Sequence, residues 1–510
     1  MFRQAPAVQA TPWPADRSRP DLVTNLASHA ARGATFTIAL QATKFSIQLV
    51  GLVILARILP PSVFGLVAMV TAVVGVADVL RDFGLSSAAV QLRELSAKQA
   101  SNLFWINSTL GLFLAALTAA AAPLLVSLYG DPRLLEIAVA ISLVFAFNGA
   151  QTQFQAHLTR QMHYRTLALT DLGAQAVALI VAIGAAWWGA GYWAIVLQLI
   201  SQSFSLLVFR FSTSDWRPGL PARSADVRPA LRYGRNLAGT QLLVYASANL
   251  DSVLVGARFN ETQLGLYSRA YQLLVLPIGQ ILSPLTAVAL PVLSRLQDDR
   301  KRFVAYLLRA QTLVVYLTTS LFATSATCAT YAIPLILGTA WSESAFIFQI
   351  LAVGGAFQAV NYVTYWVYIS LGLTPQHLRY TLTTRSLLII LMVAGSFFSP
   401  AGVAAGFSAG MALAWPISLM WVRRSAHIPI RGLASVGIRG ITMGVVGATV
   451  GMLAGYMTAH AGDLTQLIVS ALACVVSMAV ITLTFPTGRR DIREIALTVS
   501  LLRHRKAGRE

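Results

Sequence analysis

Charged side chains embedded in long apolar runs are the residues of this chain with the clearest chemical potential. Within hydrocarbon each such group costs about 3 kcal/mol or more, so it faces a cavity or a partner. Lys44 stands ten residues into the apolar run 34–58, about 15 Å deep at about 1.5 Å per residue and so near the middle of a bilayer. A lysine stem snorkels over only part of that distance. Lys44 is therefore either a cation in a hydrated cavity that attracts anionic groups or a local structural contact. Asp251 lies near the end of the run 236–257 and Arg269 near the start of 262–290, at matching depth on neighbouring segments. The two form a permanent ion pair, or a pair that opens to give Arg269 to an anion and Asp251 to a cation.

Asp78, Arg81 and Asp82 recur at spacings of three and four at the end of the run 62–84, which puts them on one helical face. They make a terminal ion-pair network or a gate. Asp171 and Arg309 sit a turn or two from the ends of their runs, where a charge reaches the interface, and the depth of Arg385 depends on where its helix starts. Pro277, Pro284 and Pro291 recur every seven residues, fall on nearly one face and each remove an amide donor. They mark a kinked helix, either static or working as a hinge. Tyr362, Tyr365, Trp366 and Tyr368 offer flat rings suited to sugars or to an interfacial aromatic belt.

The elements that must position these groups are membrane helices. Hydrophobic residues make up 56% of the 510 and charged residues 11%, far from a soluble domain. The sequence divides into fourteen apolar segments, most with the roughly 20 residues needed to span hydrocarbon. All but a few of the 38 Lys and Arg fall on alternate joints and the two ends, the pattern that places those joints and both termini in the cytoplasm. The net charge of +19 is thus a topology signal that also meets anionic headgroups, not a nucleic-acid surface. The two cysteines, Cys328 and Cys474, lie in separate apolar runs, so neither a disulfide framework nor a metal cluster is expected.

The expected fold is an all-α integral membrane protein with about fourteen transmembrane helices. A cytoplasmic tail (1–33) precedes a first lobe of six helices (34–209), a basic cytoplasmic linker (210–235) and a second lobe of six (236–422). Helices 13 and 14 (423–485, with the preceding loop) and a basic tail (486–510) follow. A shift of 200 positions lays Gly65-Leu66 over Gly265-Leu266 at the same topological place, which suggests duplicated parallel lobes. Phosphate loops, zinc spacings and nucleophile elbows are missing, and the outer joints are too short for an extramembrane catalytic domain. An enzyme is not expected, and neither is a cofactor.

The stretch LARILPPSVFGLVAMVTAVVGVADVLRDFGLSSAAVQ from Leu55 to Gln91, and the stretches NLDSVLVGARF, LGLYSRAYQLLVLPI and PVLSRLQ within Asn249 to Gln297, resemble the paired signatures of bacterial polysaccharide transporters. The chain is similar to the Wzx-type flippases of the multidrug/oligosaccharidyl-lipid/polysaccharide (MOP) exporter superfamily. That resemblance implies two lobes in a V around a central cavity that opens alternately to each side of a bacterial inner membrane. It implies a cargo of undecaprenyl-pyrophosphate-linked oligosaccharide for exopolysaccharide, capsule or O-antigen synthesis. Lys44 and Arg269 would then meet the pyrophosphate or acidic sugars, Asp251 a coupling proton or sodium ion, and Asp78 a cytoplasmic gate. Membrane lipids and polysaccharide-assembly proteins are the implied partners, with a monomer as the default because two lobes already enclose one cavity. The competing readings are a cation-coupled multidrug exporter of the same superfamily, a membrane polysaccharide polymerase or ligase, and a scaffold of an envelope-synthesis complex.

Overall fold

A computed structural model describes residues 40–82, 96–222, 245 and 248–494, and for 78–82 the backbone helix without the side chains. The expected roles of Asp78, Arg81 and Asp82 therefore lie outside the described side chains, as the first tail (1–33) and the end of the second (495–510) lie outside the described residues. Every described helix of the membrane region corresponds to one of the fourteen apolar segments. These are α1 (Leu40–Ile58), α2 (Pro61–Asp82), α3 (Ala97–Tyr129), α4 (Arg133–Arg160), α5 (Tyr164–Trp187) and α6 (Trp193–Thr213). The second set is α7 (248–258), α8 (Glu261–Arg295), α9 (Arg300–Leu337), α10 (Ser342–Ser370), α11 (Thr374–Gly395), α12 (Pro400–Ala426), α13 (Ile430–Met457) and α14 (Asp463–Thr484). A short helix, α15 (486–494), closes the described chain. Twelve of them are long and apolar enough to cross a membrane within their described residues. The chain is a multi-pass membrane protein.

Local chemistry sets the ends of these helices. Ser96 and Gln99 make a reciprocal capping box at the start of α3, and Gly130 ends it with φ 76°, a conformation that costs glycine least. Asn260 caps α8 by accepting the Gln263 amide at 2.9 Å, and Ser399 caps α12 by accepting that of Gly402 at 3.0 Å. On one face the joints carry Arg160, Arg165, Arg295, Arg300, Lys301 and Arg302; this is the basic face. On the opposite face no joint between helices exceeds five residues.

Helix packing shows the duplication. In the first lobe α3 packs on α4, α4 on α6, α5 on α6 and α2 on α4; in the second, α9 packs on α10, α10 on α12, α11 on α12 and α8 on α10. Each pair recurs six helices later. The lobes join mainly where α2 crosses α8. A Cβ on Gly65 would collide with the Glu261 carbonyl, 2.5 Å from its carbon, and one on Gly265 would collide with that of Pro61, 2.7 Å from its carbon. The residue pairs 65 with 261 and 265 with 61 are related by the same 200-position shift, so the repeated glycines are the crossing point of a pseudo-twofold interface.

Beyond the lobes, α13 carries Gly440, Gly444, Gly447, Gly451 and Gly455 on its buried side. Small residues let backbones approach within a membrane, and α9 and α14 pack into that stripe. The helix starts at Ile430, ten residues before the expected segment at 440. Arg439 therefore lies inside the helix, and Asp491 of α15 folds back to meet it at 2.8 Å, with the Tyr316 hydroxyl donating to the same carboxylate at 2.9 Å. Asp491 is nearly buried and Arg439 about a quarter exposed. Arg439→Ala is expected to destabilise the protein by about 1–3 kcal/mol, less than a fully buried pair would lose. Tyr316→Phe should lose about 1 kcal/mol, both read by thermal unfolding in detergent.

Candidate functional site

A cavity of about 490 Å³ opens between the first lobe and α8, walled by α1, α2, α5, α6 and three residues of α8. Its polar lining follows from helical spacing. Lys44 and Gln48 on α1, and Gln198 and Gln202 on α6, are four residues apart and share a helix face. On α5, Asp171 and Gln175 repeat the spacing, with Asp171 in the adjoining pocket of about 200 Å³ that also holds Lys44, Gln151, Gln155, Gln202 and Arg210. Gly51 keeps α1 close to the Leu179 side chain, which a Cβ there would meet at 2.8 Å.

The charges gather at the cavity's basic end. Asp171 Oδ1 accepts from Arg210 Nη2 at 2.7 Å and Oδ2 from Lys44 Nζ at 3.4 Å. Arg210 also donates to Gln155 Oε1 at 2.9 Å and to Gln151 Oε1. The Arg210 side chain is 5% exposed and that of Lys44 42%, so one cation is built into the lobe and the other borders water. Lys44 thus lines the cavity and makes a local contact, the two alternatives set out for it. Arg210, expected in the linker, belongs instead to the last turn of α6. Asp171, expected near an interface, is the acid that joins both cations.

At the other end Arg269 stacks its guanidinium 3.9 Å above the Phe64 ring and donates to Gln272. Its Nε is buried with no hydrogen-bond partner among the described residues, as is Gln175 Oε1. Phe64 meets Trp341 edge to face at 5.3 Å, and the fully buried Trp341 indole donates to the Ala56 carbonyl at 2.8 Å. Arg57 donates to the Ile336 carbonyl at 2.8 Å. Arg133 reaches Glu261 at 3.2 Å while bonded to Asp131, and that hydrogen bond holds the Asp131 carboxyl below the usual carboxylate range. The contact thus persists at neutral pH and weakens as pH falls through the depressed value. All of these except Asp131–Arg133 and Arg269–Gln272 cross between the lobes at the face opposite the basic one. Towards the basic face the described cross-lobe bonds thin to Tyr245 with the Thr71 carbonyl at 3.0 Å and Gln41 with Gln280 at 3.4 Å.

Asp251 and Arg269 are not paired. Asp251 is 2% exposed and accepts from the Tyr267 hydroxyl at 2.9 Å and the Ser252 amide at 2.7 Å, away from the cavity lining. Tyr267 and Arg269 are two residues apart, so they lie about 200° apart around α8: the depth match held and the facing did not. Pro277, Pro284 and Pro291 sit within a continuous α8; Pro284 and Pro291 are exposed and Pro277 half-buried, off the buried line of Leu274, Ile278, Leu282 and Ala289. Sequence reasoning missed Trp341, whose only signal was a tryptophan beside Gly338 in a joint without charge. No group of three metal-ligating side chains occurs among the described residues. The site can hold anions and hydrogen-bonding groups against an apolar wall.

A family model described as polysaccharide biosynthesis protein matches residues 54–346. The lipopolysaccharide biosynthesis protein WzxC of Escherichia coli (strain K12) is 24% identical over 331 residues, 64% of this chain and 67% of that protein. The succinoglycan biosynthesis transport protein ExoT of Rhizobium meliloti (strain 1021) is 24% identical over 322 residues, 63% of this chain and 65% of that protein. The chain spans about half to two thirds of the length of the curated relatives it matches. Among solved structures, the lipid II flippase MurJ in an inward closed conformation aligns with a TM-score of 0.64 at 15% identity, over 87% of this chain and 98% of that one. An inward-facing multidrug resistance MATE family transporter of the MOP superfamily aligns with a TM-score of 0.59 at 12% identity, over 76% and 94%. Identities this low speak for the fold, which is the MOP arrangement of two six-helix lobes with two helices added. With more than half of its length matched by the family model, the chain belongs to the polysaccharide biosynthesis protein family.

Proposed function

We propose that this protein is a flippase that moves undecaprenyl-pyrophosphate-linked oligosaccharide repeat units across the bacterial inner membrane by alternating access, with no chemistry on the cargo. The observation that carries this reading is the cavity between the lobes, cationic at both ends through Lys44 and Arg269 and sealed by cross-lobe contacts at one face. A pyrophosphate and its sugars cannot enter hydrocarbon unaided, and a hydrated cavity bordered by lipid removes that barrier. The basic face is assigned to the cytoplasm, so the sealed face is the outer one, and both termini are cytoplasmic. The relatives' names point to polysaccharide synthesis and transport, which favours a lipid-linked glycan as cargo.

Within this reading Lys44 and Arg269 meet the pyrophosphate, and Asp251, enclosed with Tyr267, is the candidate for coupling to protons or sodium. Asp78, Arg81 and Asp82 remain the proposed cytoplasmic gate, and Pro277, Pro284 and Pro291 a hinge in α8. The protein is proposed to act as a monomer beside polysaccharide-assembly proteins. A multidrug exporter of the same fold is less well supported, because no carboxylate lines the cavity and Asp171 of the adjoining pocket is already held by Lys44 and Arg210, which leaves little for a cationic drug. A polymerase or ligase would need more extramembrane chain than outer joints of five residues or fewer provide.

The test is transport of purified native lipid-linked oligosaccharide in proteoliposomes under an imposed proton or sodium gradient. Wild-type protein should move the lipid, Lys44→Ala should lose about ten-fold, and the gradient that accelerates transport names the coupling ion. Folded wild-type protein that moves no authentic cargo under either gradient refutes the proposal.

A further inference from the structure

The wall between the two cationic ends is built from amides. Gln48, Gln175, Gln198, Gln202 and Gln272 line the cavity, and no carboxylate does. They come from four helices, α1, α5, α6 and α8, so the amides surround the space instead of running down one side. Gln48, Gln198 and Gln202 are half-buried, and their side chains have no hydrogen-bond partner among the described residues. Gln175 spends its amide nitrogen on the Lys44 carbonyl at 3.3 Å and leaves Oε1 buried and unpartnered. Each carboxamide offers two donors and an oxygen acceptor. A belt of such groups with unused capacity suits a ligand that both donates and accepts hydrogen bonds at closely spaced points, and a buried amide left unmatched is costly.

Charge narrows the ligand further. In the cavity and its adjoining pocket Lys44, Arg210 and Arg269 stand against the single Asp171, an excess of two positive charges. A pyrophosphate diester carries about two negative charges and matches that excess. A carboxylated sugar in the same space would bring a charge with no counter-ion, and an unpaired charge in a desolvated site is strongly disfavoured.

We infer that the glutamine belt is a glycan subsite that seats the pyrophosphate-proximal sugars through their hydroxyl and amide groups, and that those sugars are uncharged. This rests on the flippase reading and deepens it. The belt discriminates by pairing, since a site built to hydrogen-bond hydroxyls rejects what leaves its amides unmatched. The cationic ends hold the pyrophosphate regardless of the sugar.

The experiment uses the full chain in proteoliposomes with three lipids: undecaprenyl pyrophosphate without sugar, the same lipid carrying a neutral hexose disaccharide, and its counterpart with a hexuronic acid next to the pyrophosphate. Transport is measured for each, and binding by thermal shift in detergent. Wild-type protein is expected to move the neutral glycolipid at least ten-fold faster than the uronic one. The double variant Gln48→Leu and Gln202→Leu should lose about ten-fold on the neutral glycolipid, while its affinity for the sugar-free lipid stays within two-fold, which also shows that it is folded. Equal rates for the two glycolipids, or a double variant that keeps wild-type transport of the neutral one, overturn the inference and leave the flippase reading standing. Selective binding of the neutral glycolipid without transport of any lipid overturns the flippase reading and leaves the belt. Binding of neither glycolipid overturns both.

Discussion

Replacing Gly65 by valine is expected to lower transport at least a hundred-fold, about 2.7 kcal/mol at about 1.36 kcal/mol per decade, without loss of the folded protein. A Cβ at position 65 overlaps the Glu261 carbonyl group, 2.5 Å from its carbon, and what it strikes is backbone in the first turn of α8. A flexible side chain would swing aside; a helical carbonyl cannot, so α2 and α8 must separate. The contacts around this crossing depend on that approach, including Trp341 with Ala56 and Arg133 with Glu261. Losing them opens the sealed face. In an alternating-access cycle a protein that cannot seal one face cannot turn the cargo over, and the result is a molecule held in the other state. Gly265→Val should do the same, because its Cβ overlaps the Pro61 carbonyl group, 2.7 Å from its carbon. Gly279→Ala is the control on the same helix: nothing lies within 4 Å of its Cβ, and alanine favours a helix by about 1 kcal/mol over glycine, so transport should be unchanged. A single cysteine at Ser268, in a chain freed of Cys328 and Cys474, should label faster from the outer face when Gly65 is valine. Wild-type transport by Gly65→Val would show that the sealed state is not part of the cycle.

The shift of 200 that pairs Gly65 with Gly265 was legible in the sequence as a sign of duplication, but that these glycines mark the crossing of α2 and α8 is seen only in the packed lobes. Helix number was legible as well, since a hydrocarbon span fixes segment length. Charged residues near helix ends were harder to place. A hydropathy segment stops at its first charges, so Arg210 was assigned to the linker and Arg439 to a loop, although α6 continues to Thr213 and α13 starts at Ile430. The buried partners that make those arginines tolerable, Asp171 and Asp491, are 39 and 52 residues away, beyond any local pattern. Facing was harder still. Depth along a helix follows from counting residues, but azimuth depends on which neighbour packs there, and so Asp251 met Tyr267 and not Arg269. Trp341 carries no spacing signal at all; only the packed lobes show that its indole closes over Ala56.

The two cations on Asp171 should separate cleanly into a stabilising one and a transporting one. Arg210 is 5% exposed and spends its guanidinium on Asp171 at 2.7 Å and on Gln155 at 2.9 Å, besides Gln151. Arg210→Ala leaves a carboxylate and two amides in the lobe without their shared donor, and loss of one member of a buried charged network costs about 3–5 kcal/mol. That is a large part of the stability of most domains, so a fall in folded yield and in melting temperature is expected. Arg210→Lys should recover only part of it, because a single ammonium cannot reproduce the planar fork that serves three acceptors. Lys44 is 42% exposed and holds the other oxygen of Asp171 at a loose 3.4 Å, a geometry worth less than about 1 kcal/mol. Lys44→Ala should therefore melt within a few degrees of wild type and lose its ten-fold in transport. The carboxylate that anchors Arg210 keeps Lys44 within reach of the cavity, and an incoming pyrophosphate competes with Asp171 for the weaker of its two bonds. Asp171→Asn removes that competition. Its cavity should bind sugar-free undecaprenyl pyrophosphate more tightly by about ten-fold and release it more slowly, so that transport falls although binding improves. Weaker binding in Asp171→Asn, or a large stability loss in Lys44→Ala, would mean that Lys44 belongs with Arg210 to the lobe's framework and takes no part in holding cargo.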